Sequence, residues 1–331
     1  MPTIGYHHLT YEQRCHIFAL LKRGCSQTEI AKDLNVSQST ICRESKRNGY
    51  RRKYSEKVAQ KRANQRKKKA VSKARKMTPE ILQFIDQKLK EMQWSPEQIS
   101  GHLKQNMHIS ISHESIYRYI WKDKYQGGKL YKNLRRVGKK YNHRGNKIAG
   151  RGLIPNRIGI EERPAIVDEK RRVGDVEIDT VVGVGHQGRI LTMVDRKTKL
   201  ARLVLMSGGT ADETRDALIK SLTPIKKYLF TLTADNGKEF AKHLDVASTL
   251  GVKVYFARPY HSWERGLNEN TNGLLRQYFP KGTDFTKITH EQVQHVEYLL
   301  NTRPRKSLNF QTPLQVFILL TGARINYALL S

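Results

Sequence analysis

Acid is scarce in this sequence. Among its 331 residues, 61 are Lys or Arg and only 30 are Asp or Glu, for a formal net charge of +31 and a pI of about 10.1. Such an excess says little about fold and much about partners: nucleic acid first, an anionic membrane surface second. No apolar run reaches the roughly 18 residues that a membrane-spanning helix needs. The opening MPTIGYHHLTYEQR is polar and carries no apolar signal core, so the expected compartment is the cytosol. Cysteine is scarce too. Cys15, Cys25 and Cys42 are spaced for neither a zinc site nor a disulfide framework and read as small reduced hydrophobes. The length implies two to four compact units.

The first of these reads as three short helices. Thr10 with Gln13 and Ser26 with Glu29 form capping boxes, each followed by apolar residues at helical spacing (Ile17, Leu20, Leu21; then Ile30, Ala31, Leu34). Gly24 ends the first helix, Asn35-Val36 makes a turn, and Ser37 caps a third helix running toward Arg47. Two short helices joined by a tight turn make a helix-turn-helix over residues 1–50. Gln38, Ser39, Arg43 and Lys46 would face outward from its last helix, where Gln can read adenine and Arg guanine in a major groove.

From Lys46 to Lys76 the chain holds fifteen Lys or Arg and one acid, Glu56. Lys53, Lys57 and Lys61 recur every four residues, as do Arg62 and Arg66, so a helix over 51–76 would carry a basic stripe with no apolar stripe beside it. Next to a helix-turn-helix, Lys46, Arg47, Arg51, Arg52 and Lys53 read as phosphate contacts on double-stranded DNA, giving affinity rather than sequence choice. A second helical, helix-turn-helix-like unit follows over 77–125: TPEILQFIDQKLKEM, then SPEQISGHLKQN with Ser95 and Gln98 as a capping box, then ISHESIYRYIWKDK. Residues 126–164, rich in Gly, Lys and Arg, read as a basic linker.

Over 165–331 the texture changes. VGDVEIDTVVGV, RILTMVDRKT and LARLVLMS are β-rich runs suited to an antiparallel meander. A helix capped by Thr210 and Glu213 leads to the strand YLFTLTAD, a helix around 239–250, the strand VKVYFA and two further helices. The order βββαβαβαα is that of a ribonuclease H-like α/β domain with a five-stranded mixed sheet. Its first and fourth strands are neighbours, which would set Asp179, inside the first, beside Asp235, at the carboxyl end of the fourth, where sites gather. Two close carboxylates stay ionised beside a cation, and magnesium suits them. A third acid from a helix would complete a two-metal site for in-line displacement at phosphorus. Alternation cannot choose among Asp175, Glu177 and Asp179, which share a strand face. Nor is the third acid fixed: on one helix Glu264 and Glu269 diverge by about 140°, so at most one can point into the site.

A family resemblance bears on both choices. GDVEIDTVVG, TADNGKEF and YFARPYHSWERGLNENTNGLLRQYFPK resemble the signature blocks of transposases of the insertion-sequence-30 family, as do LTYEQRCHIFALLKRGCSQTEIAKDL, WSPEQISGHLK, ISHESIYRYI and IEERPAIVD. The similarity spans nearly the whole chain. It departs at Val176 and Ile178, where Trp and Gly are usual, and at Leu267, where Thr is usual. The resemblance implies Asp179, Asp235 and Glu269 as the catalytic acids, holding two Mg2+ or Mn2+ ions. Asn236, Asn268, Asn272, His261 and Arg276 are flanking candidates for support or DNA contact. It further implies cleavage and strand transfer at the terminal repeats of a mobile element, by at least a dimer in the bacterial cytoplasm at the nucleoid. The competing reading is a non-catalytic helix-turn-helix regulator.

Overall fold

The protein, seen here as a computed structural model, is described over residues 8–49, 53–73, 77–135, 154–259 and 261–323. Two compact units divide it, Met1–Thr78 and Pro79–Ser331. No described helix is long and apolar enough to cross a membrane.

The first unit holds α1 (Tyr11–Lys22), α2 (Gln27–Asp33), α3 (Gln38–Asn48) and α4 (Glu56–Lys73). Both expected capping boxes close, at Thr10–Gln13 and Ser26–Glu29. Gly24 follows α1 at φ +82°, a left-handed position that glycine adopts without a Cβ penalty. Ser37 is the N-cap of α3, but its hydroxyl bonds the Ser39 and Thr40 hydroxyls (2.9 Å each) and makes no cap bond to the backbone. The Thr40 N–H is already satisfied by the Ser37 carbonyl at 2.8 Å.

Ile17, Leu21, Ile30 and Ile41 fill the core with Tyr54 and Ala59, so the first turns of the basic α4 pack on this domain through the small face of Ala59. Within that core Arg14 Nε donates to Glu44 Oε1 at 2.9 Å, and Tyr54 Oη donates to the same oxygen at 3.2 Å. Burial, reinforced by the Glu44 carboxylate, pushes the Tyr54 hydroxyl far up. Removing one partner leaves the other charge buried and unmatched. Glu44→Ala is therefore expected to destabilise this unit by about 3–5 kcal/mol, read as lost hydrogen-exchange protection across α1–α4.

The second unit begins with α5 (Pro79–Lys90), α6 (Pro96–Asn106) and α7 (His113–Tyr125). Ile85, Leu89, Ile99, Leu103, Ile116 and Ile120 are buried within this segment, and Tyr119 Oη donates to Asp86 at 2.9 Å. Next come β1 (Ile158–Gly159), α8 (Ala165–Glu169), β2 (Asp175–Val182), β3 (Arg189–Asp195), β4 (Ala201–Met206), α9 (Ala211–Leu222), β5 (Thr231–Ala234), α10 (His243–Leu250), β6 (Lys253–Phe256), α11 (Gly266–Tyr278), α12 (His290–Asn301) and α13 (Pro313–Thr321).

The sheet runs β1-β6-β5-β2-β3-β4, with β2-β3-β4 antiparallel and β2-β5-β6 parallel. It therefore has six strands rather than the expected five. The sixth, β1, is two residues of an apparent linker pairing parallel with Tyr255 and Phe256, too short to display any alternation. One sheet face packs Val176 and Ile178 against α9 and α10; the other packs Val181 and Ile190 against Leu274, Leu275 and α12.

The α5–α7 segment is fastened to this domain. Arg303, 2% exposed, donates to Tyr278 Oη (2.6 Å), Gln277 Oε1 (3.1 Å) and the Met92 carbonyl (3.3 Å). A Cβ built on Gly101 would lie 2.1 Å from the Phe310 ring, so only glycine fits that contact as it stands.

Candidate active site

Strand register builds the site. Asp175 pairs with Thr231 and Glu177 with Thr233 across the parallel β2–β5 ladder. Continued two residues further, that register sets Asp179 level with Asp235, on the face that α11 covers. The Arg265 guanidinium joins them: its Nη1 is 3.3 Å from Asp179 Oδ1 and its Nη2 is 3.3 Å from Asp235 Oδ2. Nη1 also donates to the Ile178 carbonyl at 3.2 Å. Asn272 Nδ2 donates to Asp179 Oδ2 at 2.9 Å, and its own Oδ1 accepts from Thr192 at 3.1 Å. The Gly237 N–H holds Asp235 Oδ1 at 2.8 Å, fixing the tight turn after β5. Burial raises the Asp179 pKa and the nearby Asp235 charge raises it further, while Arg265 opposes both. A second cation would hold the pair ionised more strongly.

The three acids of β2 separate clearly. Asp175 is fully buried and takes two bonds from Arg172 (2.9 and 3.0 Å) and one from Thr231 (2.8 Å). Glu177, 1% exposed, takes Arg196 Nη1 at 2.7 Å and the Asn268 N–H at 2.9 Å. Both are committed to internal partners; Asp179 keeps part of its side chain open. Glu177→Gln should therefore unsettle the fold by about 3 kcal/mol, because buried Arg196 is left with only its 3.3 Å contact to the exposed Asp168. Asp179→Asn should stay within about 1 kcal/mol of wild type, because it removes a carboxylate already penalised by burial. Urea titration of both variants measures the contrast.

Glu269 lies on α11, exposed, four residues after Arg265. Glu269, Asn272 and Arg276 fall within a sector of roughly 60° around the helix. The third acid thus lies on the same stripe as Asn272, which holds Asp179. The Glu269 carboxylate is not drawn in with the aspartates: among the described residues no three His, Cys, Asp or Glu gather closely enough to hold a metal. Glu264 lies outside α11, in the 3-10 turn Ser262–Arg265, and accepts from the Arg258 N–H at 2.8 Å. It shapes the approach to the helix and does not pair with Arg265. A single-helix rotation argument for the two glutamates fails because the helix begins at Gly266.

Of the flanking candidates, Asn272 touches Asp179 directly. Asn236 is buried, donating to the Ala257 carbonyl and accepting from Arg157. Asn268 is fully buried. Arg276 donates to the Val182 carbonyl at 2.7 Å, and His261 Nδ1 lies 2.8 Å from the Pro259 carbonyl. Arg265 is the residue that sequence reasoning missed. Its signal lay in its position, directly before the helix that carries Glu269.

In the N-terminal unit Gln38, Ser39, Arg43, Lys46, Arg47 and Lys53 are exposed. Arg43 folds back on its own helix, its Nε donating to the Ser39 carbonyl at 3.1 Å. Arg51 and Arg52 lie outside the described residues.

Three antiparallel strands extended by parallel strands, with a carboxylate inside one central strand and another just past its neighbour's end under a helix, define a ribonuclease H-like α/β domain carrying a paired-acid site. A helix-turn-helix region precedes it. Residues 5–48 match the helix-turn-helix domain family. The chain is 48% identical to the transposase for insertion sequence element IS4351 of Bacteroides fragilis over 94% of this chain and 95% of that one. It is 37% identical to transposase InsI for element IS30A of Escherichia coli K12, over 93% of this chain and 83% of that one. The catalytic core domain of BIV integrase covers 44% of this chain and 93% of its own, at a TM-score of 0.35 and 19% identity. The chain belongs to the insertion-sequence-30 family of transposases.

Proposed function

We propose that this protein is a DNA transposase that binds the terminal inverted repeats of an insertion sequence, cleaves there, and joins the freed strand to a second DNA. The reading rests on one observation above all: Asp179 and Asp235, on adjacent strands, grip the same guanidinium from either side. An all-oxygen pair that already holds a positive charge is a donor set suited to Mg2+ or Mn2+. Asp179, Asp235 and Glu269 would hold two such ions, which when bound supply charge neutralisation and an activated oxygen nucleophile for in-line displacement at phosphorus.

The chain's own residues do the rest. Asn272 orients Asp179, and the turn at Gly237 orients Asp235. Glu269 swings inward from its position on the shared stripe. Residues 1–50 recognise the element ends, with Gln38, Ser39 and Arg43 against bases. Lys46, Arg47, Arg51, Arg52 and Lys53 grip phosphates beside them, and the 51–76 helix extends that contact. Residues 165–331 carry the chemistry. Handling two ends at once calls for at least a dimer.

The test is incubation of the protein with labelled element-end DNA and Mg2+. The expected product is a cut leaving a 3′-hydroxyl at the element end, abolished by EDTA. Tight binding with no cleavage in either Mg2+ or Mn2+ would instead identify a non-catalytic DNA-binding regulator.

A further inference from the structure

Arg265 is the N-cap residue of α11, held at the end of the 3-10 turn Ser262–Arg265. Its side chain is only 11% exposed, and its guanidinium reaches the Ile178 carbonyl, Asp179 and Asp235 together. Its Nε is buried with no hydrogen-bond partner. Both carboxylate contacts are 3.3 Å, longer than the 2.7–2.9 Å of a well-formed charge-assisted bond. By contrast, the structural pairs on the same strand are short, at 2.7 Å for Arg196–Glu177 and 2.9 Å for Arg172–Asp175. The loose contact falls on the partly open aspartates, and the tight ones on the buried acids. Gly266, next along the chain, has open space where a Cβ would be, so the backbone beside Arg265 is unobstructed.

We propose that Arg265 is a built-in placeholder cation: it neutralises Asp179 and Asp235 in the metal-free protein and is displaced by the divalent ion. This rests on the metal-binding reading given above. The displaced guanidinium stays at the start of α11, four residues before Glu269, positioned to meet a DNA phosphate instead. Arg265 is thus a positioning residue that competes with the metal for the same oxygens and keeps the two aspartates from repelling each other before loading.

Calorimetric titration of the full chain with Mn2+, without DNA, tests this. Removing a competing cation should tighten metal binding, so Arg265→Gln is expected to bind Mn2+ roughly tenfold more tightly than wild type. Arg265→Lys, a point charge that cannot span both carboxylates, should fall between the two, and it carries the test if the Gln variant does not fold. An Asp179→Asn, Asp235→Asn double variant should lose the binding. Mn2+ affinity unchanged or weakened in both Arg265 variants, while wild type binds and the double variant does not, overturns the placeholder role and leaves the metal site standing. Absence of Mn2+ binding by wild type overturns the metal reading, and the placeholder role with it.

Discussion

Asp179→Asn and Asp235→Asn are each expected to lower end cleavage by about 10³-fold, equivalent to roughly 4 kcal/mol of lost transition-state stabilisation. Binding of element-end DNA should remain close to wild type. The separation follows from where each property resides. The aspartates lie in the Pro79–Ser331 unit, at the end of a sheet whose register holds them level. The base-reading candidates lie on α3 in the Met1–Thr78 unit. Each Asn variant keeps the shape of its side chain and removes its charge, so the Arg265 contact weakens without opening a cavity. Gel-shift binding and cleavage measured on the same preparations would show the split. A variant that lost binding and cleavage together would point to a folding defect.

The second large effect concerns salt. Lys46, Arg47, Lys53, Lys57, Lys61, Arg62, Arg66 and Lys67 are all exposed along the end of α3 and along α4. Acid is almost absent from this stretch, Glu56 standing alone. If six to ten of the chain's cations neutralise phosphates, affinity for DNA should fall by about 10³–10⁵ between 50 and 200 mM salt. A plot of log affinity against log salt should be straight, with a slope of roughly −5 to −9. Replacing Lys57 and Lys61 by Gln should flatten that slope by about 2 and weaken binding alike on all sequences. Arg43→Ala should do the reverse, with little change in slope and relaxed preference for the repeat. An unchanged slope in the Lys57, Lys61 variant would remove α4 from the DNA interface.

Sequence and structure agree where the signal is local. Capping boxes need only residues three apart, and those at Thr10, Ser26 and Ser95 all form as the sequence suggests. The strand order was legible because each strand is a distinct apolar run bounded by turn residues. What escaped depends on partners far along the chain. Asp175, Glu177 and Asp179 alternate identically, and only Arg172 and Arg196 reveal that two of them are structural. Arg196 is nineteen residues from Glu177, a separation no periodicity exposes.

Short elements escaped as well. β1 is two residues long, and the turn before α11 is 3-10, which moves Glu264 off the helix that a sequence pattern extends through it. Arg265 escaped for the same reason, since it lies at the end of that turn rather than on the helix. α4 showed no apolar stripe because it docks through Ala59, whose small side chain gives a weak hydrophobic signal.

The central claim is that three acids far apart in sequence act together on a DNA phosphate, and Glu269 is the member whose carboxylate stands apart in this structure. Cleavage of labelled element-end DNA in Mg2+ by wild type and by Glu269→Gln tests it most directly. The account predicts cleavage in wild type and a loss of about 10³-fold in the variant, with DNA binding intact. Undiminished cleavage by Glu269→Gln would contradict it and pass the third position to another residue.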